Sequence, residues 1–133
     1  MLKTYHGSCH CGAVHFEADL DLAKGASRCN CTFCRKTRNW SARTTPDHLR
    51  VTSGEGEIAR YGEPGLNAHA FCKTCGVRLF TTGDIPELGG VFASVALAAL
   101  DDTSEEELIE APLIWCDGLH DNWWNPPAET RHL

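Results

Sequence analysis

Length, composition and charge exclude several classes of protein. The chain has 133 residues, enough to bury one hydrophobic core, and its 42% hydrophobic and 23% charged residues are typical of a globular domain. The net charge of −6 argues against a general binder of nucleic acid or anionic membrane, since such proteins carry a basic surplus. No apolar run approaches the roughly 20 residues that cross a bilayer, and residues 1–6 lack the apolar stretch of a signal peptide. We therefore predict one cytoplasmic domain over residues 1–133.

The predicted elements are short strands separated by glycine and proline turns. Apolar and polar residues alternate over residues 14–20, the period of a half-buried strand, and residues 91–100 are nearly all apolar, which predicts a strand buried on both faces. Further extended segments are predicted at residues 4–11, 39–44, 48–52, 58–61, 77–81 and 113–116, and residues 67–71 lead into the third cysteine motif. The pattern predicts a mainly β, antiparallel domain with a few short helical turns and an extended tail at residues 125–133.

Two segments contain helical signals. A single helical turn over residues 32–36 would bring Cys34 back toward the two cysteines before it. Residues 101–110 carry six acidic side chains, and Ser104 with Glu107 has the spacing of a capping box. A solvated acidic loop is the preferred interpretation of this second segment, with a short helix as its alternative.

Seven of the eight cysteines fall into three closely spaced motifs, and these dominate the sequence. The motifs are Cys9-x-Cys11, Cys29-x-Cys31-x-x-Cys34 and Cys72-x-x-Cys75. Disulfides are the alternative, but the predicted compartment is reducing, where such clusters bind metal more often. The restrictive geometry of a disulfide also makes neighbours in a C-x-C motif poor partners for one another. The motifs therefore predict zinc bound by thiolates.

The odd number of thiols divides as four plus three. Zinc takes four protein ligands in a structural site and keeps one position open in a catalytic site. The two outer pairs complement each other, which predicts a four-thiolate structural site, and the central motif then binds a second zinc through three thiolates. The alternative is that a histidine closes the second site; the candidates are His10, His69 and His120. Cys116 is the one cysteine outside these motifs, and we expect it to pack as a small apolar residue beside Ile114 and Trp115.

An open three-thiolate zinc suits a soft ligand such as the thiol of a small molecule. Zinc deprotonates a coordinated thiol outright, and the thiolate could then attack a carbonyl carbon. The ion could instead bind water or polarise the carbonyl group. Five of the chain's 12 basic residues lie within 16 positions of one another around the central motif: Arg28, Arg35, Lys36, Arg38 and Arg43. They indicate an anionic small ligand, with ordinary exposed charges as the alternative.

Four segments in order carry a resemblance to a known family. They are Gly7-Ser8-Cys9-His10-Cys11-Gly12-Ala13-Val14, Arg28-Cys29-Asn30-Cys31-x-x-Cys34-Arg35-Lys36, His69-x-Phe71-Cys72-x-x-Cys75-Gly76-Val77 and Asp117-Gly118-x-His120-x-Asn122. Together they resemble the glutathione-dependent formaldehyde-activating enzyme family, which also includes centromere protein V. The resemblance extends from Gly7 to about Trp124.

The resemblance implies a fold, an activity and a set of site residues. The fold is a zinc-stapled, β-sandwich-like (β-tent) domain, shared with a Rab-binding guanine-nucleotide-release factor. The activity is that of a carbon–sulfur lyase, which joins glutathione and formaldehyde into S-hydroxymethylglutathione or performs the reverse. A non-catalytic zinc-binding interaction module of the same fold is the alternative. The implied structural site comprises Cys9, Cys11, Cys72 and Cys75, and the implied catalytic site comprises Cys29, Cys31 and Cys34.

Other positions match or depart from the family pattern. His120, Asn122 and Trp123 are site candidates by resemblance only, and ordinary turn and packing roles are their alternative. Three positions depart from the pattern: Arg38 where a small residue is frequent, Ala96 where an Asn is common, and Leu119 where an Arg is frequent. The departures leave all seven motif cysteines in place.

Overall fold

The chain folds into ten strands and two short helices, seen in a computed structural model that describes all of residues 1–133. The strands are β1 Lys3–Ser8, β2 His15–Leu20, β3 Ala26–Cys29, β4 Ser41–Thr44, β5 Leu49–Ser53, β6 Ile58–Glu63, β7 Asn67–Cys72, β8 Arg78–Ile85, β9 Gly90–Ala96 and β10 Leu113–Cys116. The helices are α1 Thr32–Thr37 and α2 Glu105–Glu110. Six single turns of 3₁₀ helix connect other elements, including Leu97–Ala99 and Gly118–His120. The mainly β prediction is confirmed.

The strands form two sheets. A three-stranded antiparallel sheet has the order β1-β2-β5, and a seven-stranded sheet has the order β10-β3-β4-β9-β8-β7-β6. Pairing in the large sheet is antiparallel except at one edge, where β10 lies parallel to β3 and Cys116 stands opposite Cys29. The wholly antiparallel expectation is wrong at this edge, because the chain crosses over through α2 before it returns beside β3.

The core lies between the two sheets. Along β2, Phe16, Ala18 and Leu20 are buried while the residues between them are not, as the alternation of polar and apolar residues predicts. The ring of Phe16 meets that of Phe80 on β8 edge-on, with centroids 5.8 Å apart and planes at 68°. Such an arrangement is a favourable aromatic contact. The core therefore holds the small sheet against the centre of the large one.

The predicted strand over residues 91–100 ends early. Strand β9 stops at Ala96, and Leu97–Ala99 forms a 3₁₀ turn in which the amide of Leu100 donates to the carbonyl of Leu97. Leu97 nevertheless remains buried. The turn carries the chain from the large sheet to the small one, where Leu100 bridges to Gly7.

The acidic segment is a helix and not the loop that we expected. Ser104 accepts from the amide of Glu107, and the Glu107 carboxylate accepts from the amide of Ser104, so both halves of the capping box are present. The same carboxylate accepts from Nζ of Lys3 at 2.8 Å and from the hydroxyl of Tyr5 at 2.7 Å. These contacts with β1 stabilise a helix whose acidic composition alone favours a loop. Neither α1 nor α2 has the length and apolarity that crossing a membrane requires.

Residues 125–133 contain neither helix nor strand, and the amide of Leu133 donates to the carbonyl of Thr130 in a turn at the end of the chain. Pro127, Thr130 and Leu133 are half-buried, so the segment lies against the domain at these positions. Leu133 lines a small cavity beside Cys29 and Cys34.

Candidate metal centres

Four cysteines from two distant turns form the first cluster: Cys9, Cys11, Cys72 and Cys75. Their sulfurs all lie within 4.8 Å of one another, with Cys11 3.6 Å from Cys9 and 3.7 Å from Cys72. A tetrahedral zinc with bonds of ~2.3 Å separates its sulfur ligands by about 3.8 Å. All eight cysteines are free, and these separations far exceed the ~2.05 Å of a disulfide. The donor set and its spacing fit a zinc ion.

Each half of the first cluster is presented by a turn between two strands. Cys9 and Cys11 lie between β1 and β2, and the amide of Val14 donates to Sγ of Cys9 at 3.3 Å. Cys72 ends β7, and its sulfur accepts from the amide of Cys75 at 3.5 Å. The amides of Cys11 and Val77 donate to Cys75 and lower its pKa to about 6. Backbone donors of this kind favour the thiolate form that a metal requires.

Three cysteines from one short stretch form the second cluster: Cys29, Cys31 and Cys34. Cys29 ends β3, Cys31 caps the N-terminus of α1, and Cys34 lies in the first turn of that helix. Their sulfurs also lie within 4.8 Å of one another. The amide of Cys31 donates to Cys29, and the amide of Cys34 donates to Cys31, both at 3.4 Å. The predicted helical turn is thus the element that gathers this cluster.

Charge is shared unequally within the second cluster. Hydrogen bonds from the Cys31 and Cys34 thiols lower the pKa of Cys29, because they stabilise its thiolate. The same bond to Cys29 raises the pKa of Cys34. Ionisation of one thiol therefore makes ionisation of its neighbours harder, and a bound cation would favour the thiolate form of all three.

None of the candidate histidines joins the second cluster. His10 lies exposed between the cysteines of the first cluster's N-terminal turn. His69 packs face to face on Phe33, with ring centroids 3.8 Å apart, and its Nδ1 bonds Oγ1 of Thr81. His120 bonds the carboxylate of Asp117 through Nδ1, at 2.8 and 3.1 Å. The second cluster consequently comprises three sulfurs alone.

The turn at residues 117–120 lies against the second cluster. Asn30, between the first two cysteines, donates to Oδ1 of Asp117 at 2.7 Å and accepts from the amide of Leu119 at 3.0 Å. A Cβ atom on Gly118 would stand 2.7 Å from Sγ of Cys29 and 2.5 Å from the ring of Trp123, so only glycine permits this approach. The sequence did not single out Asn30 as a site residue; it appears only within the second of the four segments that resemble the family.

The other resemblance-based candidates shape this turn. Asn122 bonds Asp117 through the backbone and accepts from Asn125 through its side chain. The Nε1 atom of Trp123 donates to Asp121 at 2.7 Å. His120 and Asn122 are exposed and Trp123 is half-buried, and His120 lines a cavity of about 390 Å³ together with Asn30.

The three departures from the family pattern have distinct surroundings. Arg38 ends α1 in the left-handed conformation (φ +54°), which favours glycine. Ala96 is buried at the end of β9 opposite Ser41, whereas the side chain of Leu119 is exposed in the cavity beside His120. The leftover Cys116 is half-buried on β10 and belongs to neither cluster.

Three of the five clustered cations border the second cluster. Arg28, Arg35 and Arg38 line the small cavity that also contains Cys29 and Cys34. Arg43 instead donates to the carbonyl of Leu88, and its guanidinium stands over the ring of Phe92. Three arginines thus border the second cluster, and the anionic ligand that they indicate stays a prediction.

Comparison with known proteins agrees with these geometries. The glutathione-dependent formaldehyde-activating enzyme family matches residues 4–118. An uncharacterized lyase of Schizosaccharomyces pombe is 28% identical over 81 residues, which span 59% of this chain and 58% of the yeast protein. A crystal structure of a Rhodobacter sphaeroides protein superposes with a TM-score of 0.68 at 31% identity, covering 81% of this chain and 98% of the other. The chain belongs to the glutathione-dependent formaldehyde-activating enzyme family.

Proposed function

We propose that this protein is a zinc-dependent carbon–sulfur lyase. Its substrate would be the adduct of glutathione, or a similar thiol, with formaldehyde or a related aldehyde. The observation that carries the proposal is the second cluster, in which three sulfurs come together without a histidine. Three thiolates leave one position of a tetrahedral zinc free for a substrate. Family membership supports the glutathione and formaldehyde chemistry, and the yeast relative's description supports a lyase.

The two clusters would have different roles, one structural and one catalytic. Cys9, Cys11, Cys72 and Cys75 would enclose a structural zinc, while Cys29, Cys31 and Cys34 would hold the second ion for catalysis. Zinc bound at the second cluster would supply a thiolate form of the substrate's sulfur, because zinc deprotonates a coordinated thiol. In adduct formation the S–H bond breaks, the sulfur's electron pair forms a bond to the carbonyl carbon, and the carbonyl oxygen takes up a proton.

His120 is our candidate for moving that proton. The buried carboxylate of Asp117 holds the proton of His120 on Nδ1, which leaves Nε2 to accept or deliver another. The same carboxylate accepts from Asn30, so the imidazole is tied to the loop that carries the cysteines. The fixed tautomer and the exposed Nε2 are what a general acid–base requires.

Arg28, Arg35 and Arg38 would attract the substrate. Glutathione carries two carboxylates and one ammonium group, so a positive rim beside an otherwise acidic protein favours its approach. Cytoplasmic location stays a prediction from the sequence.

The proposal is tested by the exchange rate of the adduct, because thiols add to formaldehyde without an enzyme. Exchange between glutathione and its formaldehyde adduct is measured by NMR for the unchanged protein, Cys34→Ala and Cys116→Ala. We expect the unchanged protein and the Cys116→Ala control to accelerate exchange, and Cys34→Ala to return it to the background rate. Removal of the general acid–base by His120→Ala should lower the enzymatic rate about 100-fold.

Metal analysis and X-ray absorption at the zinc edge complete the test. We expect two zinc ions per chain and an additional sulfur ligand when glutathione is added. A single zinc ion, or equal exchange rates for Cys34→Ala and Cys116→Ala, would overturn the proposal. Two zinc ions with no acceleration would favour the alternative, a non-catalytic interaction module.

A further inference from the structure

Arg78 is a largely buried cation whose hydrogen-bond partners are uncharged. At the start of β8, its Nη1 donates to Oδ1 of Asn39 and its Nη2 donates to Oγ1 of Thr81 at 2.9 Å. Its Nε is buried without any partner. Burying an uncompensated charge is costly, so a cation in this position indicates negative charge close by. Burial lowers the pKa of Arg78, and negative charge on Cys34 would oppose that lowering.

Asn39 connects Arg78 to the second cluster. Its Nδ2 donates to Sγ of Cys34 at 3.6 Å and to Oγ of Ser41 at 3.3 Å, while its Oδ1 accepts from Arg78. The guanidinium can only donate, so it fixes the amide with its oxygen toward Arg78 and its hydrogens toward the sulfur. The backbone amide of Asn39 also donates to the carbonyl of Cys34. Asn39 is thereby held as a donor to the third cysteine of the cluster.

The opposite side of Arg78 is anchored as firmly. The buried hydroxyl of Thr81 accepts from Arg78, which leaves its hydrogen for Nδ1 of His69 at 2.7 Å. Burial and the charge of Arg78 lower the pKa of His69 to about 4, so the ring is neutral and able to accept. His69 packs on Phe33, a residue of α1 between Cys31 and Cys34. The guanidinium carbon of Arg78 stands 5.4 Å from the centroid of the Phe33 ring. Arg78 is therefore connected to the second cluster on both sides, through Asn39 to Cys34 and through its neighbours to Phe33 of α1.

We infer that Arg78 and Asn39 are positioning residues for the second cluster. Asn39 orients Sγ of Cys34 through its N–H···S bond, and Arg78 fixes Asn39 and supplies the positive charge that offsets the cluster. Three thiolates and a divalent ion carry a net charge of −1, which one arginine neutralises. This inference rests on the proposed function only in taking zinc as the ion. Arg78 follows Cys75 by three residues, so the turn of the first cluster also sets the position of the residue that supports the second.

Asn39→Asp is the most discriminating substitution. The aspartate keeps a partner for Arg78, so the fold is preserved, but a carboxylate oxygen replaces the donor beside Cys34. Loss of a group that orients a metal ligand lowers metal affinity by about 10- to 100-fold. We expect the second cluster to lose zinc affinity by this factor, while the first cluster keeps its own. Competition with a chromophoric chelator measures the two affinities. The thiolate-to-metal charge-transfer absorption of the Co²⁺-loaded protein, after subtraction of the spectrum of Co²⁺-loaded Cys34→Ala, reports the second site.

Arg78→Gln and Arg78→Lys separate charge from geometry. The glutamine removes the charge, and the lysine keeps the charge but loses the fork that donates to Asn39 and Thr81 together. We expect both to weaken zinc binding at the second cluster, with the larger loss for glutamine. Arg43→Gln is the control, since Arg43 also donates to an oxygen and stands over an aromatic ring, but lies away from both clusters.

The outcomes separate this inference from the proposed reaction. Unchanged affinity of the second cluster in Asn39→Asp and Arg78→Gln would overturn the inference, as would an equal loss at both clusters, which a merely structural role predicts. Two zinc ions without faster adduct exchange would overturn the reaction and leave the positioning role intact. A single zinc ion in the unchanged protein would overturn both.

Discussion

The two cysteine clusters have the same donor chemistry but are built from very different parts of the chain. The first joins a turn of the small sheet to a turn of the large one, across 61 residues between Cys11 and Cys72. The second comes from one strand end and the helix that follows it, within residues 29–34. Closing a long loop removes more freedom from the chain than closing a short one. A metal in the first cluster should therefore contribute more to the stability of the fold than a metal in the second.

The largest expected effect comes from breaking the first cluster. Structural zinc in small domains contributes roughly 10–16 kcal/mol of apparent binding free energy, which is comparable to the whole stability of a domain. Cys72→Ala should therefore unfold or aggregate, whereas Cys34→Ala should lose one zinc ion and only about 1–2 kcal/mol of stability. Thermal unfolding with zinc analysis on each variant checks this. Equal destabilisation by both substitutions would contradict the division of roles.

Loosening the contact between the second cluster and the turn over it should have an intermediate effect. Asn30→Ala removes a buried partner of Asp117 and of the Leu119 amide, and an unsatisfied buried group costs about 2–3 kcal/mol. Chemical unfolding should report that loss, together with weaker zinc binding at the second cluster alone. Asn125→Ala, at an exposed asparagine whose side chain donates only to Asn122, is the matched control. Similar unfolding midpoints for the two variants would show that the contact does not support the cluster.

The region between the clusters should show a pH dependence that originates at His69. Its folded-state pKa of about 4 lies below the ordinary value of 6.5, because burial and Arg78 disfavour the charged ring. The unfolded chain thus takes up a proton first as pH falls, so the stability from the neutral ring is complete above pH 6.5 and is lost as pH falls toward 4. His69→Phe keeps the stacking on Phe33 but cannot be protonated.

Urea unfolding at pH 7 and pH 4.5 measures this difference. Between these values the unchanged protein should lose about 1–2 kcal/mol more stability than His69→Phe, a figure reduced for the water that still reaches the ring. Taking the difference between the two proteins removes the contribution of cysteine protonation, which they share. Parallel pH profiles would place the pH dependence elsewhere.

The smallest expected effect is a gain in stability. Arg38 ends α1 at φ +54°, a left-handed backbone conformation that costs free energy for residues other than glycine. Arg38→Gly should stabilise the protein by about 0.5–1 kcal/mol without changing the zinc content. Arg35→Gly, inside the same helix, should destabilise it by about 1 kcal/mol and serves as the comparison. A loss of stability in Arg38→Gly would mean that the contacts of the arginine side chain stabilise the protein by more than its left-handed backbone conformation destabilises it.

Local signals predicted the parts of the fold that depend on neighbouring residues. Alternation located β2, glycine-rich turns separated most strands, and the spacing of Cys31 and Cys34 predicted the turn that became α1. The spacing of Ser104 and Glu107 predicts a capping box, whereas the acidic composition favours a loop. The contacts of Glu107 with Lys3 and Tyr5, which are remote in sequence, stabilise the helix. The parallel pairing of β10 with β3 likewise depends on a crossover that periodicity does not encode.

The sequence by itself determined which residues could bind metal, because the type of ligand and its spacing along the chain are local properties. It also indicated the pairing of Cys9 and Cys11 with Cys72 and Cys75, since four thiolates satisfy one zinc. Only the tertiary structure decided what surrounds the sulfurs. Asn30, Asn39 and Arg78 reach the second cluster through contacts between strands, turns and helix. The spacing of residues along the sequence does not predict these contacts. Their charge and hydrogen bonds act over a few ångströms of space, and separation along the chain does not predict which residues come that close.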